Sequence, residues 1–125
     1  MKNSIWIYED DLAIRDSLEL ILAAAGYHTR SFSDPGILDP ANGYPDLYLL
    51  DRQVTGIDGL DICRQLKSGT STRNIPIVMI SASPQVARLA AVAGADYFLE
   101  KPFDMQELLK GIKRCIEAGS PSQND

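Results

Sequence analysis

Five short runs of strand-forming, mostly apolar residues alternate with segments whose apolar residues recur at helical spacing. The runs are Ser4–Tyr8, Tyr27–Phe32, Leu47–Leu50, Ile75–Ile80 and Tyr97–Leu99. Near-continuous apolar runs are typical of strands that are covered on both faces. Strands that alternate with helices form parallel sheets through right-handed crossovers. The pattern therefore predicts an α/β protein with a doubly wound, five-stranded parallel sheet and helices on both faces.

The segments between these runs predict helices of modest length. Helical spacing appears in residues 12–25, 61–67 and 85–93, and again from about Asp104 onwards. Gly26 and Gly94 follow two of these helices, where a residue with positive φ is often needed. The remaining segment, 33–44, is interrupted by two prolines and two glycines, which predicts only a short or irregular helix.

Composition predicts a single soluble domain and excludes several classes of protein. The chain has 125 residues, of which 45% are hydrophobic and 23% are charged, as in an ordinary globular domain. The net charge of −5 argues against nucleic-acid binding, which needs a basic face. No apolar run is long enough to cross a bilayer and no signal peptide opens the chain, so we expect a cytoplasmic protein that does not bind membranes.

The cysteines and the single histidine do not predict a metal or redox site. Cys63 and Cys115 lie far apart in the sequence, and a chain without a secretory signal is expected to keep them reduced. His28 lies in a predicted strand without the partners that a catalytic or metal-binding role requires. A tetrahedral zinc site is excluded because too few cysteine and histidine ligands are present.

Polar residues follow four of the five predicted strands. Glu9 and Asp10 follow the first strand, Asp51 the third, Ser81 the fourth and Lys101 the fifth. The carboxyl ends of parallel strands meet at one edge of the sheet, hereafter the carboxyl edge, where ligands bind. Three carboxylates at this edge would repel one another, which favours a hard divalent cation, Mg²⁺ or Mn²⁺. Lys101 would supply a positive charge suited to a phosphoryl oxygen.

Each of these residues also has a purely structural interpretation. Acidic residues after a strand favour the N-terminus of the next helix through its dipole. Ser81 would then cap a helix, and Lys101 would be an ordinary surface lysine. The coincidence of all of these residues at one predicted edge favours the functional interpretation.

The chain resembles the receiver (CheY-like) domains of two-component response regulators over residues 4–117. The resemblance rests on Glu9-Asp10 after the first strand, Asp51 in LLDRQVTGIDGLDICRQLK, Ser81-Ala82 after the fourth strand, and Lys101-Pro102 in GADYFLEKPFD. It implies a flavodoxin-like sheet of order 2-1-3-4-5. It also implies a receiver domain over residues 1–118, followed by a flexible tail or the start of a linker over 119–125.

The resemblance implies a phosphorylated aspartate. Asp51 would accept a phosphoryl group from a sensor histidine kinase or a histidine phosphotransfer protein. Asp10 and Asp51 would bind Mg²⁺ through their carboxylates, Glu9 through water and Gln53 through its backbone carbonyl. Such a protein catalyses its own phosphorylation and dephosphorylation, with no external substrate.

The resemblance further implies a conformational switch. Ser81 and Lys101 would contact the phosphoryl oxygens, and Phe98 matches the aromatic switch position of the family. The output face would combine the fourth helix, the fifth strand and the fifth helix (α4-β5-α5). It would act on a downstream effector protein or an output domain outside this sequence. The bond between Lys101 and Pro102 matches a cis peptide of the family.

Three alternatives to a phosphorylated switch fit these residues less well. A receiver-like interaction module that no longer needs phosphorylation usually lacks the nucleophile, an acidic partner or the lysine, and this chain keeps all of them. A haloacid dehalogenase phosphatase needs a second aspartate where Gln53 stands. A flavodoxin-like redox protein binds phosphate after its first strand, where Glu9 and Asp10 would repel it. Thr55 stands where receiver domains often have proline. The resemblance implies that Arg52 and Gln53, the polar neighbours of Asp51, would tune the phosphoryl lifetime, in a direction that the sequence does not give.

Overall fold

The computed structural model describes residues 2–52 and 57–119. The strands are β1 (Ser4–Tyr8), β2 (His28–Phe32), β3 (Leu47–Asp51), β4 (Ile77–Ser81) and β5 (Tyr97–Glu100). The α-helices are α1 (Leu12–Ala24), α2 (Gly59–Ser68), α3 (Val86–Ala93) and α4 (Met105–Gly119). Two short 3₁₀ helices, Pro35–Leu38 and Pro40–Asn42, lie between β2 and β3.

The five strands form one parallel sheet of order β2-β1-β3-β4-β5. This confirms the predicted topology. The order reverses at β1, so the carboxyl ends of β1 and β3 are neighbours, and Tyr8 pairs with Leu50. Ser81 at the end of β4 pairs with Glu100 at the end of β5. Residues that follow β1, β3, β4 and β5 therefore lie along one edge.

Each face of the sheet packs against a different pair of helices, as the sequence predicted. Alternate strand residues such as Ile7 and Leu49 pack with α1 and α4 on one face. The intervening residues Trp6, Tyr8 and Tyr48 pack with α2 and α3 on the other. Burial of apolar side chains on both faces explains why the strands are almost continuously hydrophobic.

The segment between β2 and β3 forms no α-helix. Each of its two 3₁₀ helices begins with a proline after an aspartate, and the aspartate side chain accepts a hydrogen bond from the backbone two residues on. Ile37 is the fully buried apolar residue of this segment, at 1% exposure. The prediction of a short or irregular helix is therefore confirmed. The fourth and fifth helices expected from the family correspond to α3 and α4 here.

Several element boundaries differ from the predicted ones by a few residues. Helix α2 begins at Gly59 rather than Asp61, because the Asp58 side chain accepts a hydrogen bond from Leu60 N at 2.9 Å and caps the helix two residues earlier. Strand β4 begins at Ile77, after Pro76, which lacks a backbone donor. Gly26 and Gly94 have φ of 96° and 103°, as expected of residues that end helices.

No helix in the described part of the chain is long and apolar enough to cross a membrane.

Candidate functional site at the carboxyl edge

The site is organised around an ion pair between Lys101 and Asp51. Asp51 ends the central strand β3 and is 2% exposed, and Lys101 follows β5. The ammonium Nζ of Lys101 donates a hydrogen bond to Oδ2 of Asp51. The same Nζ lies 3.8 Å from Oε1 of Glu9, which follows β1. Three strand ends thus bring one positive and two acidic side chains together.

Glu9 is held in an environment that disfavours its charge. It is only 2% exposed, and its Oε2 accepts a hydrogen bond from Asp11 N at 3.1 Å, whereas Oε1 has no hydrogen-bond partner. Burial, together with the adjacent Asp51 carboxyl group, raises the pKa of Glu9 to about 8, although the Asp11 amide and Lys101 act in the opposite direction. A proton or a cation is therefore favoured next to this carboxyl group.

Ser81 and Asp10 also lie at the carboxyl edge, after the strands β4 and β1 that flank the strand of Asp51. Ser81 ends β4 and is 2% exposed, and its Oγ accepts a hydrogen bond from Ser83 N at 3.1 Å. The hydroxyl proton of Ser81 is thus directed away from that contact and is available to an acceptor. Asp10 is half-buried directly after Glu9, and its charge contributes to raising the pKa of Tyr8.

The loop that follows Asp51 is fixed at both of its described ends. Arg52 N donates to the carbonyl of Ile80 at 3.0 Å, and Gly59 N donates to the carbonyl of Arg52 at 3.0 Å. Gly59 packs so closely that a Cβ there would lie 2.2 Å from the carbonyl oxygen of Asp51. Between these points Arg52 pairs with Asp58 at 3.3 Å. The predicted metal-binding residue Gln53, with Thr55, lies outside the described residues.

Phe98 lies on β5, half-buried and packed against the core on the α2 and α3 side. It lines a surface hollow of about 630 Å³ together with Pro84 and Ala87 before and on α3, and Lys101 and Pro102 after β5. The Lys101–Pro102 peptide bond is cis, as expected. Phe98 therefore lies beside the chain that carries Lys101, and its predicted switching role stays a prediction.

Comparisons with known proteins agree on one family. The family model described as "Response regulator receiver domain" matches residues 5–113. The chain belongs to the response regulator receiver family. Response regulator MprA of Mycobacterium sp. (strain KMS) is 38% identical over 124 residues, which cover 95% of this chain and 53% of the relative. The chain thus spans about half the length of the curated relatives it matches.

Solved structures show the same receiver fold. A putative response regulator from Chloroflexus aurantiacus superposes with a TM-score of 0.88 at 28% identity, covering 94% of this chain and 99% of the other. The receiver domain of sensor histidine kinase PA1611 from Pseudomonas aeruginosa, which holds a magnesium ion in its active-site cleft, gives a TM-score of 0.84 at 23% identity, with coverage of 94% and 99%. At that identity the second comparison supports the fold alone.

The receiver site offers oxygen ligands suited to a divalent cation. In the described ranges 2–52 and 57–119, no three histidine, cysteine or acidic side chains form a metal-binding group. Mg²⁺, however, commonly uses only one or two carboxylates and keeps several waters. Oε1 of Glu9 is buried without a hydrogen-bond partner, and burial beside the Asp51 carboxyl group raises the pKa of Glu9. These observations fit a small hard cation beside Lys101.

Sequence reasoning located the acidic residues of the receiver site but missed a contact that supports them. Tyr8, the last residue of β1, donates its hydroxyl hydrogen bond to the carbonyl of Ile57 in the loop after Asp51. The available signal was a hydroxyl group at the end of a buried strand, directly before Glu9. A buried tyrosine hydroxyl usually needs a partner, but the sequence does not say which one.

Proposed function

We propose that this receiver domain is a phosphoacceptor switch of a two-component phosphorelay, with Asp51 as the phosphorylated residue. The observation that carries the proposal is the buried Asp51 carboxylate, paired with the Lys101 ammonium beside Glu9. A carboxylate is a weak nucleophile, so transfer depends on positioning and on charge neutralisation. The arrangement provides both, since Asp51 ends a rigid central strand and Lys101 is already in contact with it.

The proposed reaction transfers a phosphoryl group from a phosphohistidine of a partner to Asp51. An oxygen of Asp51 attacks phosphorus, the phosphorus–nitrogen bond breaks, and the imidazole nitrogen keeps the electron pair and takes up a proton. Lys101 moves its hydrogen bond from the carboxylate to a phosphoryl oxygen, and the Ser81 hydroxyl donates to another. In dephosphorylation, water attacks the same phosphorus, the bond between phosphorus and the Asp51 oxygen breaks, and inorganic phosphate is released as the Asp51 carboxylate is restored.

A divalent cation, Mg²⁺ or Mn²⁺, belongs to the same proposal. Asp10 and Asp51 would hold it through carboxylate oxygens, Glu9 through a water molecule and Gln53 through its backbone carbonyl. When bound, the cation neutralises charge that develops on the phosphoryl oxygens. The residues themselves bind and orient it, and Glu9 would then remain ionised at neutral pH.

The partners and the output are proposals of the same kind. The donor would be a sensor histidine kinase or a histidine phosphotransfer protein. Ser81 and Lys101 would pull on the loops after β4 and β5, and Phe98 would respond on the output face, here α3-β5-α4. That face would act on an effector protein or an output domain. Residues 1–118 would form the receiver domain, and 119–125 a tail or the start of a linker.

Intact-mass spectrometry after incubation with acetyl phosphate and Mg²⁺ tests the proposal. Wild type should gain one phosphoryl group, hydroxylamine should remove it as expected of an acyl phosphate, and a metal chelator should slow its formation. Asp51→Asn should gain none. Asp46→Asn is the matched control, since Asp46 is an exposed acid just before the same strand. A wild type that takes up no phosphoryl group would favour a phosphorylation-independent interaction module instead.

A further inference from the structure

We propose that Tyr8 is a positioning residue for phosphoryl transfer, because its hydroxyl fixes the loop after Asp51 against the strand that leads into the acidic pair. The proposal rests on the proposed function and extends it to a residue outside the set that contacts the phosphoryl group or the cation.

The Tyr8 hydroxyl links two segments that are distant in sequence. Tyr8 is fully buried, at 0% exposure, and its hydroxyl donates to the carbonyl of Ile57 at 3.0 Å, across 49 residues of sequence. A tyrosine hydroxyl offers one donor, so this bond accounts for its donor capacity. Removal of the hydroxyl would leave the carbonyl of Ile57 without this donor.

The linked segments carry the two halves of the acidic site. Glu9 and Asp10 directly follow Tyr8, and Ile57 lies in the loop that begins at Asp51. Other described anchors of this loop are the backbone bonds of Arg52 and Gly59, the partly exposed Arg52–Asp58 ion pair and the packing of the Ile57 side chain against the core. Partly exposed ion pairs contribute little. Tyr8 therefore supplies the side-chain hydrogen bond that ties the loop to β1.

Tyr48 offers a matched control for a purely structural role. It lies on the adjacent strand β3, is 1% exposed and belongs to the same core, where its ring packs edge-on against Trp6 with centroids 6.0 Å apart. Among the described residues its hydroxyl makes no hydrogen bond to the loop after Asp51, and Tyr44, before β3, is its titratable neighbour. Tyr48→Phe therefore removes a hydroxyl from the same core without removing a contact to the loop.

The test compares Tyr8→Phe with Tyr48→Phe in two measurements. Amide hydrogen exchange of a peptide covering residues 52–62 is followed in metal-free protein, and the rate of phosphorylation by acetyl phosphate is followed as a function of Mg²⁺ concentration. For Tyr8→Phe we expect faster exchange and a Mg²⁺ concentration at half-maximal rate raised roughly fivefold, the factor that corresponds to one lost hydrogen bond of about 1 kcal/mol. Tyr48→Phe should behave as wild type in both.

The outcomes separate this inference from the proposed function. If wild type is phosphorylated and Tyr8→Phe matches Tyr48→Phe in exchange and in Mg²⁺ dependence, the positioning role of Tyr8 is wrong and the proposed function stands. A general loss of stability in Tyr8→Phe would speed exchange in peptides throughout the chain and would not select the loop peptide. If wild type takes up no phosphoryl group, the proposed function fails and the positioning role fails with it.

Discussion

Glu9 is a carboxyl group that the folded protein keeps away from water, and this makes stability depend on pH in a defined direction. Its pKa rises from 4.5 to about 8 on folding. Between these values the folded state binds more protons than the unfolded state, so the free energy of unfolding falls as pH rises. The slope from one group reaches at most about 1.4 kcal/mol per pH unit.

We therefore predict that Glu9→Gln removes most of this pH dependence. In urea titrations at several pH values between 5 and 8, with a chelator present, wild type should lose stability as pH rises and Glu9→Gln should stay nearly level. Glu100→Gln, at an exposed acid on the same edge, should keep the wild-type slope. Parallel slopes for wild type and Glu9→Gln would show that Glu9 is ionised normally.

The proximity of three predicted site residues could be predicted because each one ends a strand or follows it directly. Once the parallel order is known, Glu9, Asp51 and Lys101 must lie at one edge, and the observed ion pairs confirm this meeting. The contact between Tyr8 and Ile57 was not predictable. It depends on a side-chain rotamer and on the path of a loop, and no periodic pattern in the sequence predicts either of them.

At the scale of the elements, the junction of β3 and α2 leaves no room for a side chain at Gly59. A Cβ on Gly59 would lie 2.2 Å from the carbonyl oxygen of Asp51 and 2.9 Å from Cα of Arg52. Both neighbours are backbone atoms, so α2 would have to move away from the strand end. Close packing of this helix thus requires glycine at its first position.

We predict that Gly59→Ala lowers the free energy of unfolding by about 1–3 kcal/mol, the range typical of an overpacked site. It should also slow phosphorylation, because the strand end at Asp51 is displaced. Gln65→Ala is a suitable comparison, since Gln65 lies on the same helix and its side chain is exposed. Denaturant unfolding of both variants measures the difference, and equal losses would contradict the argument.

The bounds of a helix or strand were predicted well where both its apolar pattern and its flanking residues were recognised. They were predicted less well where one of these two signals was missing. Strand β3 combines an apolar run with clear flanking residues, and it was placed within one residue. Helix α2 was predicted to begin too late, because the capping role of Asp58 was not recognised. Segment 33–44 has turn residues but no helical period, so its form as two 3₁₀ helices could not be derived.

At the scale of the whole molecule, the site and the proposed output face are connected through the ends of β4 and β5. Ser81 begins the loop that leads to α3, and Lys101 follows the strand that carries Phe98. Lys101 N also donates to the carbonyl of Ser81 at 2.8 Å, so the two ends are tied by a backbone hydrogen bond. A shift of Ser81 towards a phosphoryl oxygen would therefore move both the loop that leads to α3 and the end of β5.

We predict that phosphorylation shifts the backbone NMR signals of α3 and β5, including Phe98, and that Ser81→Ala suppresses these shifts while phosphorylation still occurs. The reason is that alanine lacks the hydroxyl that would follow the phosphoryl group. Ser83→Ala, an exposed serine two residues later, is the control and should respond as wild type. Equal shifts in Ser81→Ala would contradict a switch through this serine.

The two 3₁₀ helices between β2 and β3 have a consequence for engineering. Residues 39–42 are held by the hydrogen bonds of the second 3₁₀ helix and by the Asn42 side chain, which donates to the carbonyl of Gly36. Residues 43–44 come after that helix and after the buried anchor Ile37, and they are exposed. Tolerance to inserted sequence depends on how little burial and backbone hydrogen bonding an insertion disrupts. This stretch leads into the start of β3, at the edge opposite Glu9, Asp51 and Lys101. It is the natural place to graft a reporter peptide or a fluorescent label while leaving the sheet and its acidic pocket intact.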